Sequence, residues 1–72
     1  MQFLKVDASH YLRVDSASVV TWDVWNSGGG STPYHFRIVA GTTTTVAQYA
    51  TEAEAQTVLG RAAEAAGDVY DL

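Results

Sequence analysis

The residues of this chain best suited to proton transfer are two histidines and the carboxylates around them: His10 lies between Asp7 and Asp15, and Asp23 precedes His35. An imidazole titrates near neutrality, so a His–Asp pair could move a proton or activate a hydroxyl as a nucleophile. No spacing in this chain selects such a set. Hydroxyls and carboxylates abound, and 72 residues leave little room for an enclosed pocket. No catalytic residue is therefore assigned, and a non-enzymatic protein is expected. His10, in a turn, reads as a solvated side chain. His35 and Arg37 opposite Asp23 read as a cross-strand polar cluster worth about 1 kcal/mol or less. Ser27-Gly28-Gly29-Gly30-Ser31-Thr32 is rich in glycine, but it lacks the Gly-Lys-Ser/Thr of a phosphate loop, and Pro33 and an apparent strand follow where a helix should. It reads as a flexible hairpin connection, the most mobile loop expected. With no cysteine and two separated histidines, neither a metal site nor a cofactor is expected.

A different signal comes from Trp22 and Trp25, in the run Val19-Val20-Thr21-Trp22-Asp23-Val24-Trp25. On a strand, a spacing of three sends the two indoles to opposite faces. Val20, Trp22 and Val24 share the apolar side and predict Trp22 as core. Val19, Thr21, Asp23 and Trp25 share the other. A covered aromatic ring buries about 150–250 Å², so Trp25 in water is costly unless something covers it. Either Trp25 belongs to an interface, or it folds over the sheet edge onto Pro33 or the C-terminal tail. The same parity places Tyr34, Phe36 and Ile38 inward with Leu12 and Val14. It places Tyr11, Arg13, His35, Arg37 and Val39 outward. The outer face is thus expected to carry Tyr11, Arg13, Thr21, Asp23, Trp25, His35 and Arg37. Trp, Tyr and Arg are the side chains enriched at interaction hot spots.

These positions need a sheet to hold them. Leu4-Lys5-Val6-Asp7 is echoed by Leu12-Arg13-Val14-Asp15, each unit a strand ended by an Asx-type turn. Strands are expected at Gln2–Asp7, His10–Val14, Val19–Trp25, Tyr34–Ala40 and Thr43–Tyr49, the last two joined at Gly41-Thr42 as a hairpin. The threonines Thr42 to Thr45 are β-branched strand formers first. An ice- or sugar-binding hydroxyl array would need them on several strands. After Tyr49 the period changes: Thr51 and Glu54 form a Thr-x-x-Glu capping box, and Ala55, Val58, Leu59, Ala62 and Ala66 make a helical stripe ended at Gly67. The expected architecture is α+β, an antiparallel meander of four or five strands with helix Glu52–Ala66 across one face, in a single domain spanning residues 1–72. In the tail, Asp68 to Leu72, the apolar Val69, Tyr70 and Leu72 favour docking on the sheet edge or a neighbouring chain over fraying. Strands followed by a helix opened with Thr-Glu-x-Glu-Ala resemble the layout of many short bacterial and phage proteins. That resemblance implies no activity and no site residues.

Composition narrows the partners. At 47% hydrophobic and 17% charged residues the chain folds rather than staying disordered. Its length puts the core near the size that barely offsets chain entropy, so help from another subunit is expected. A net charge of −4, with Lys5, Arg13, Arg37 and Arg61 dispersed, opposes broad attraction to phosphate backbones or anionic membranes. No segment reaches a membrane-spanning length and no signal-like start is present, so a cytoplasmic protein is expected. The function expected is binding through the outer face, with self-association into a homo-oligomer first and a heterologous protein partner second. Interface candidates are Tyr11, Arg13, Asp23, Trp25, His35, Arg37, Tyr70 and Leu72. The alternative is a small-ligand, nucleotide or nucleic-acid binder using the same face or a subunit interface, with nucleic acid disfavoured by the missing basic stripe.

Overall fold

The computed structural model describes residues 2–13 and 19–72. In chain order these form β1 (Gln2–Asp7), β2 (His10–Arg13), β3 (Val20–Asn26), β4 (Tyr34–Ala40), β5 (Thr42–Tyr49), α1 (Glu52–Ala66) and β6 (Asp68–Asp71). Strands β1 to β5 are the antiparallel meander expected from their short connections. The sheet differs from expectation at its end: β6 adds a sixth strand, parallel to β1, giving the order β5-β4-β3-β2-β1-β6. The sheet is therefore mixed rather than antiparallel. Its parallel pair is possible because α1 carries the chain from the β5 edge back to the β1 edge, as parallel connections require. The tail docks on its own sheet, and the Leu72 amide donates to the Lys5 carbonyl at 3.0 Å.

Local chemistry explains the boundaries. Thr51 has an extended backbone and its Oγ1 accepts from the Glu54 amide at 3.3 Å, capping α1 as the sequence predicts. Gly67 ends the helix with an extended backbone, φ 175°, and donates its amide to the Ala63 carbonyl. At Gly41 the hairpin turn adopts φ +82°, where an L side chain is disfavoured.

The core lies between the sheet and α1. Phe3, Tyr11, Phe36, Leu59 and Ala63 are its buried centre, with Trp22, Val24, Ile38, Tyr49, Val58, Ala62 and Val69 packed against them. Trp22 is the core tryptophan, its ring 4.7 Å from Phe3 edge-on and 5.7 Å from Phe36. Its Nε1 is buried without a partner among the described residues. The helical stripe runs one position later than expected at its C-terminal end: Ala55, Leu59 and Ala63 are buried, whereas Ala66 is exposed. Small side chains bring the helix backbone close to the sheet. A Cβ on Gly60 would lie 3.3 Å from the Tyr11 hydroxyl.

The Tyr11 contact corrects the parity assigned to β2. Tyr11 is buried under the helix and pairs with Trp22, so Arg13, two residues on, shares the helix-side register with Val20 and Phe3. Leu12, expected inward, pairs with Thr21 on the opposite face. The pattern Tyr-Leu-Arg-Val offers one aromatic and two aliphatic residues on alternating positions, and tertiary packing chose the aromatic phase. Val14 lies outside the described residues.

Candidate functional site

The face away from α1 is positioned by strand register. Across β2, β3, β4 and β5, His10, Asp23, Arg37 and Thr45 stand opposite one another in turn. One step toward the Gly-rich loop, Trp25 pairs with His35, which pairs with Gln48. Asp23 is buried, and Arg37 Nε and Nη2 donate to its Oδ1 and Oδ2 at 2.9 and 2.8 Å. This fork-to-carboxylate geometry is the strong form of an ion pair. The hydrogen bond to Asp23 holds the Arg37 guanidinium even further above the usual range, against partial desolvation. The same guanidinium lies 5.0 Å from the Trp25 ring centroid, a cation–π contact. The His35 ring meets Trp25 edge-on at 5.3 Å.

Trp25 is thus braced on two sides by its own face and still 43% exposed. Of the expected interface residues, Asp23, Trp25, His35 and Arg37 come together in this cluster. Tyr11 does not, being core, and Arg13 stands in the helix-side register. Tyr70 lies on the outer face opposite Leu4, 52% exposed, and Leu72 is exposed just beyond β6.

A second row was not foreseen. Tyr70, Leu4, Leu12, Thr21, Val39 and Thr43 are paired successively from β6 through β1, β2, β3 and β4 to β5. They make a largely apolar band across the whole sheet, beside the Asp23–Arg37 row. The signal for it was in the repeated Leu4-Lys5-Val6 and Leu12-Arg13-Val14 units, because the hairpin sets Leu4 opposite Leu12.

The groups suited to proton transfer lie elsewhere or are engaged. His10 is not merely solvated: its Nδ1 lies 2.9 Å from Asp7 Oδ1, and that oxygen also accepts from the Ser9 amide at 2.7 Å. The His10 hydrogen bond, then the Ser9 amide, hold the Asp7 carboxyl below the ordinary carboxylate range. The Ser9 hydroxyl accepts from Gln56 Nε2 at 2.8 Å. In the loop after β3, the Gly28 amide donates to Asn26 Oδ1 at 2.8 Å, and the Ser27 amide to the Pro33 carbonyl at 2.8 Å, closing the hairpin.

Shallow depressions occur among the described residues. One, of about 320 Å³, lies between Tyr49 and the Ala53, Glu54, Thr57 and Val58 side of α1. Another, of about 250 Å³, lies among Gln2, Phe3, Leu4 and Tyr70, at one end of the apolar band. Neither is lined by a histidine or by the Asp23–Arg37 pair. Among the described residues no group of three potential ligands could hold a metal ion, and no helix is long and apolar enough to cross a membrane. Comparison with protein-family models, curated proteins and solved structures finds no match to this chain.

Proposed function

We propose that this chain is a non-enzymatic interaction protein whose outer sheet face docks against the same face of a second copy. One observation carries this reading: Trp25 and Tyr70 are exposed, and Leu4, Leu12 and Val39 only half-buried, on a face whose buried carboxylate is already neutralised. Covering a charge that lacks a partner costs several kcal/mol. Here Arg37 and Asp23 satisfy each other beforehand, so a partner can cover the face without stranding either. A single helix covers only one side of a six-stranded sheet, and a second apolar surface on the other supplies burial that so short a chain otherwise lacks.

The same geometry weakens the ligand- and nucleic-acid-binding alternative. A base-stacking site would use Trp25 with a free guanidinium for phosphate, and the Arg37 fork is occupied by Asp23.

Sedimentation equilibrium tests the reading. Trp25→Ala should raise the concentration needed for association about 30-fold, as expected for a hot spot near 2 kcal/mol. Unchanged association in that variant, with its fold intact by circular dichroism, would remove the outer face as the contact.

A further inference from the structure

The two edges of the sheet are built differently. β6 is four residues long and bracketed by Asp68 and Asp71, features that discourage another strand from pairing with it. β5 is eight residues long, Thr-Thr-Thr-Thr-Val-Ala-Gln-Tyr, with no charge, no proline and no glycine. Thr42 through Val46 are exposed. Among the described residues no strand lies on its outer side, so alternate backbone amides and carbonyls face outward. The one protective device is a bulge: Phe36 pairs with Ala47 and Arg37 with Thr45, leaving Val46 as the extra residue, 53% exposed. That bulge divides the edge and leaves Thr42–Thr45 regular.

We propose that the four-threonine segment of β5 pairs antiparallel with the same segment of a second copy, a contact separate from the outer face. Register limits the arrangement to those that keep each residue on its own face, and the one proposed is centred on Thr44. Thr42 and Thr44 stand on the helix side, opposite Ala40 and Ile38, and Thr43 and Thr45 on the outer side, opposite Val39 and Arg37. A twofold axis through Thr44, perpendicular to the sheet, keeps each residue on its own face. It sets Thr44 against Thr44 of the partner subunit, and Thr43 against Thr45 of the partner subunit. The pairs Thr43–Thr45 and Thr44–Thr44 are Thr–Thr, a favourable pairing for β-branched hydroxyl side chains, while Thr42 falls opposite the bulged Val46 of the partner subunit, where the ladder ends.

Charge selects a second copy as the occupant. A chain of net charge −4 repels itself over most of its surface, but this edge is neutral and meets itself without like charges in contact. Twofold symmetry is the commonest way for identical chains to associate, and it delivers the antiparallel relation directly. The bulge at Val46 ends the ladder, so the contact is short and the dimer weak. It should be visible as the chain concentration approaches about 1 mM.

Charge reversal at the axis tests this. Thr44 is exposed and off the outer face, so Thr44→Lys or Thr44→Glu leaves Trp25 and the apolar band untouched. Each variant alone should need about tenfold more protein for edge pairing in sedimentation equilibrium, because like charges then stand directly opposite. An equimolar mixture of T44K and T44E should recover pairing at or above the wild-type level. Wild-type association in either variant alone, or a mixture no stronger than its components, would overturn the edge pairing. Failure of the outer-face reading shows separately, as an indifference to Trp25→Ala that leaves the Thr44 effects in place.

Discussion

Asp23 and Arg37 carry the polar organisation of the outer face, and their removal should be felt beyond a surface ion pair. The carboxylate is buried and takes both fork nitrogens, so Asp23→Ala strands a partly buried guanidinium. We expect a loss of about 1–3 kcal/mol in urea unfolding at neutral pH, the range for leaving a buried polar group without its partner. An unchanged midpoint would place the pair among inert surface bridges. Asp7 offers a test of a different kind. Its carboxyl is held below the ordinary value of 3.8, first by His10 and then by the Ser9 amide. The folded state therefore binds this proton less readily than the unfolded chain. The resulting stabilisation is present above the unfolded value and is lost as pH falls through the lower folded one. His10→Gln should move the Asp7 titration, followed by carboxyl-carbon NMR, up toward 3.8. An unmoved curve would assign the shift to Ser9 alone.

The elements that hold these residues were largely legible in the sequence, and the exceptions have identifiable causes. Thr51 and Glu54 marked the helix start because capping is local chemistry, and alternation placed Trp22 inside and Trp25 outside because β3 is paired on both sides. The phase of β2 was misread since Tyr11 and Leu12 are both apolar. The packing of Tyr11 beneath Gly60 and among Phe3, Phe36, Leu59 and Ala63 is a tertiary fact that alternation alone does not reveal. Docking of the tail on the sheet edge is legible from its apolar residues, but its pairing as a sixth, parallel strand is not, for a similar reason. Asp-Val-Tyr-Asp has no strand signature of its own and becomes one by pairing with β1. Among the fully buried helix residues Ala55, Leu59 and Ala63, only Leu59 has substantial volume, with Val58 packed beside the core. Leu59→Ala should cost about 2–5 kcal/mol in thermal or urea unfolding. A cost below about 1 kcal/mol would mean that the helix is held chiefly by its cap and strand contacts.

Seen as one body, the fold is a two-layer structure with its helix on one side and an aromatic, apolar and internally neutralised surface on the other. The proposed function rests on that asymmetry. The outer face was only half legible in advance, since Asp23, Trp25, His35 and Arg37 follow from parity but the Tyr70–Leu4–Leu12–Val39 band emerges only from register across all six strands. If two copies meet through this surface, the atoms that sense dilution are known. In a concentration series followed by NMR, the methyl groups of Leu4, Leu12 and Val39 and the indole of Trp25 should shift together. The Leu59 methyls, sealed beneath α1, should stay still. Spectra without concentration dependence, or shifts confined to the helix side, would contradict the assignment of this face as the contact between chains.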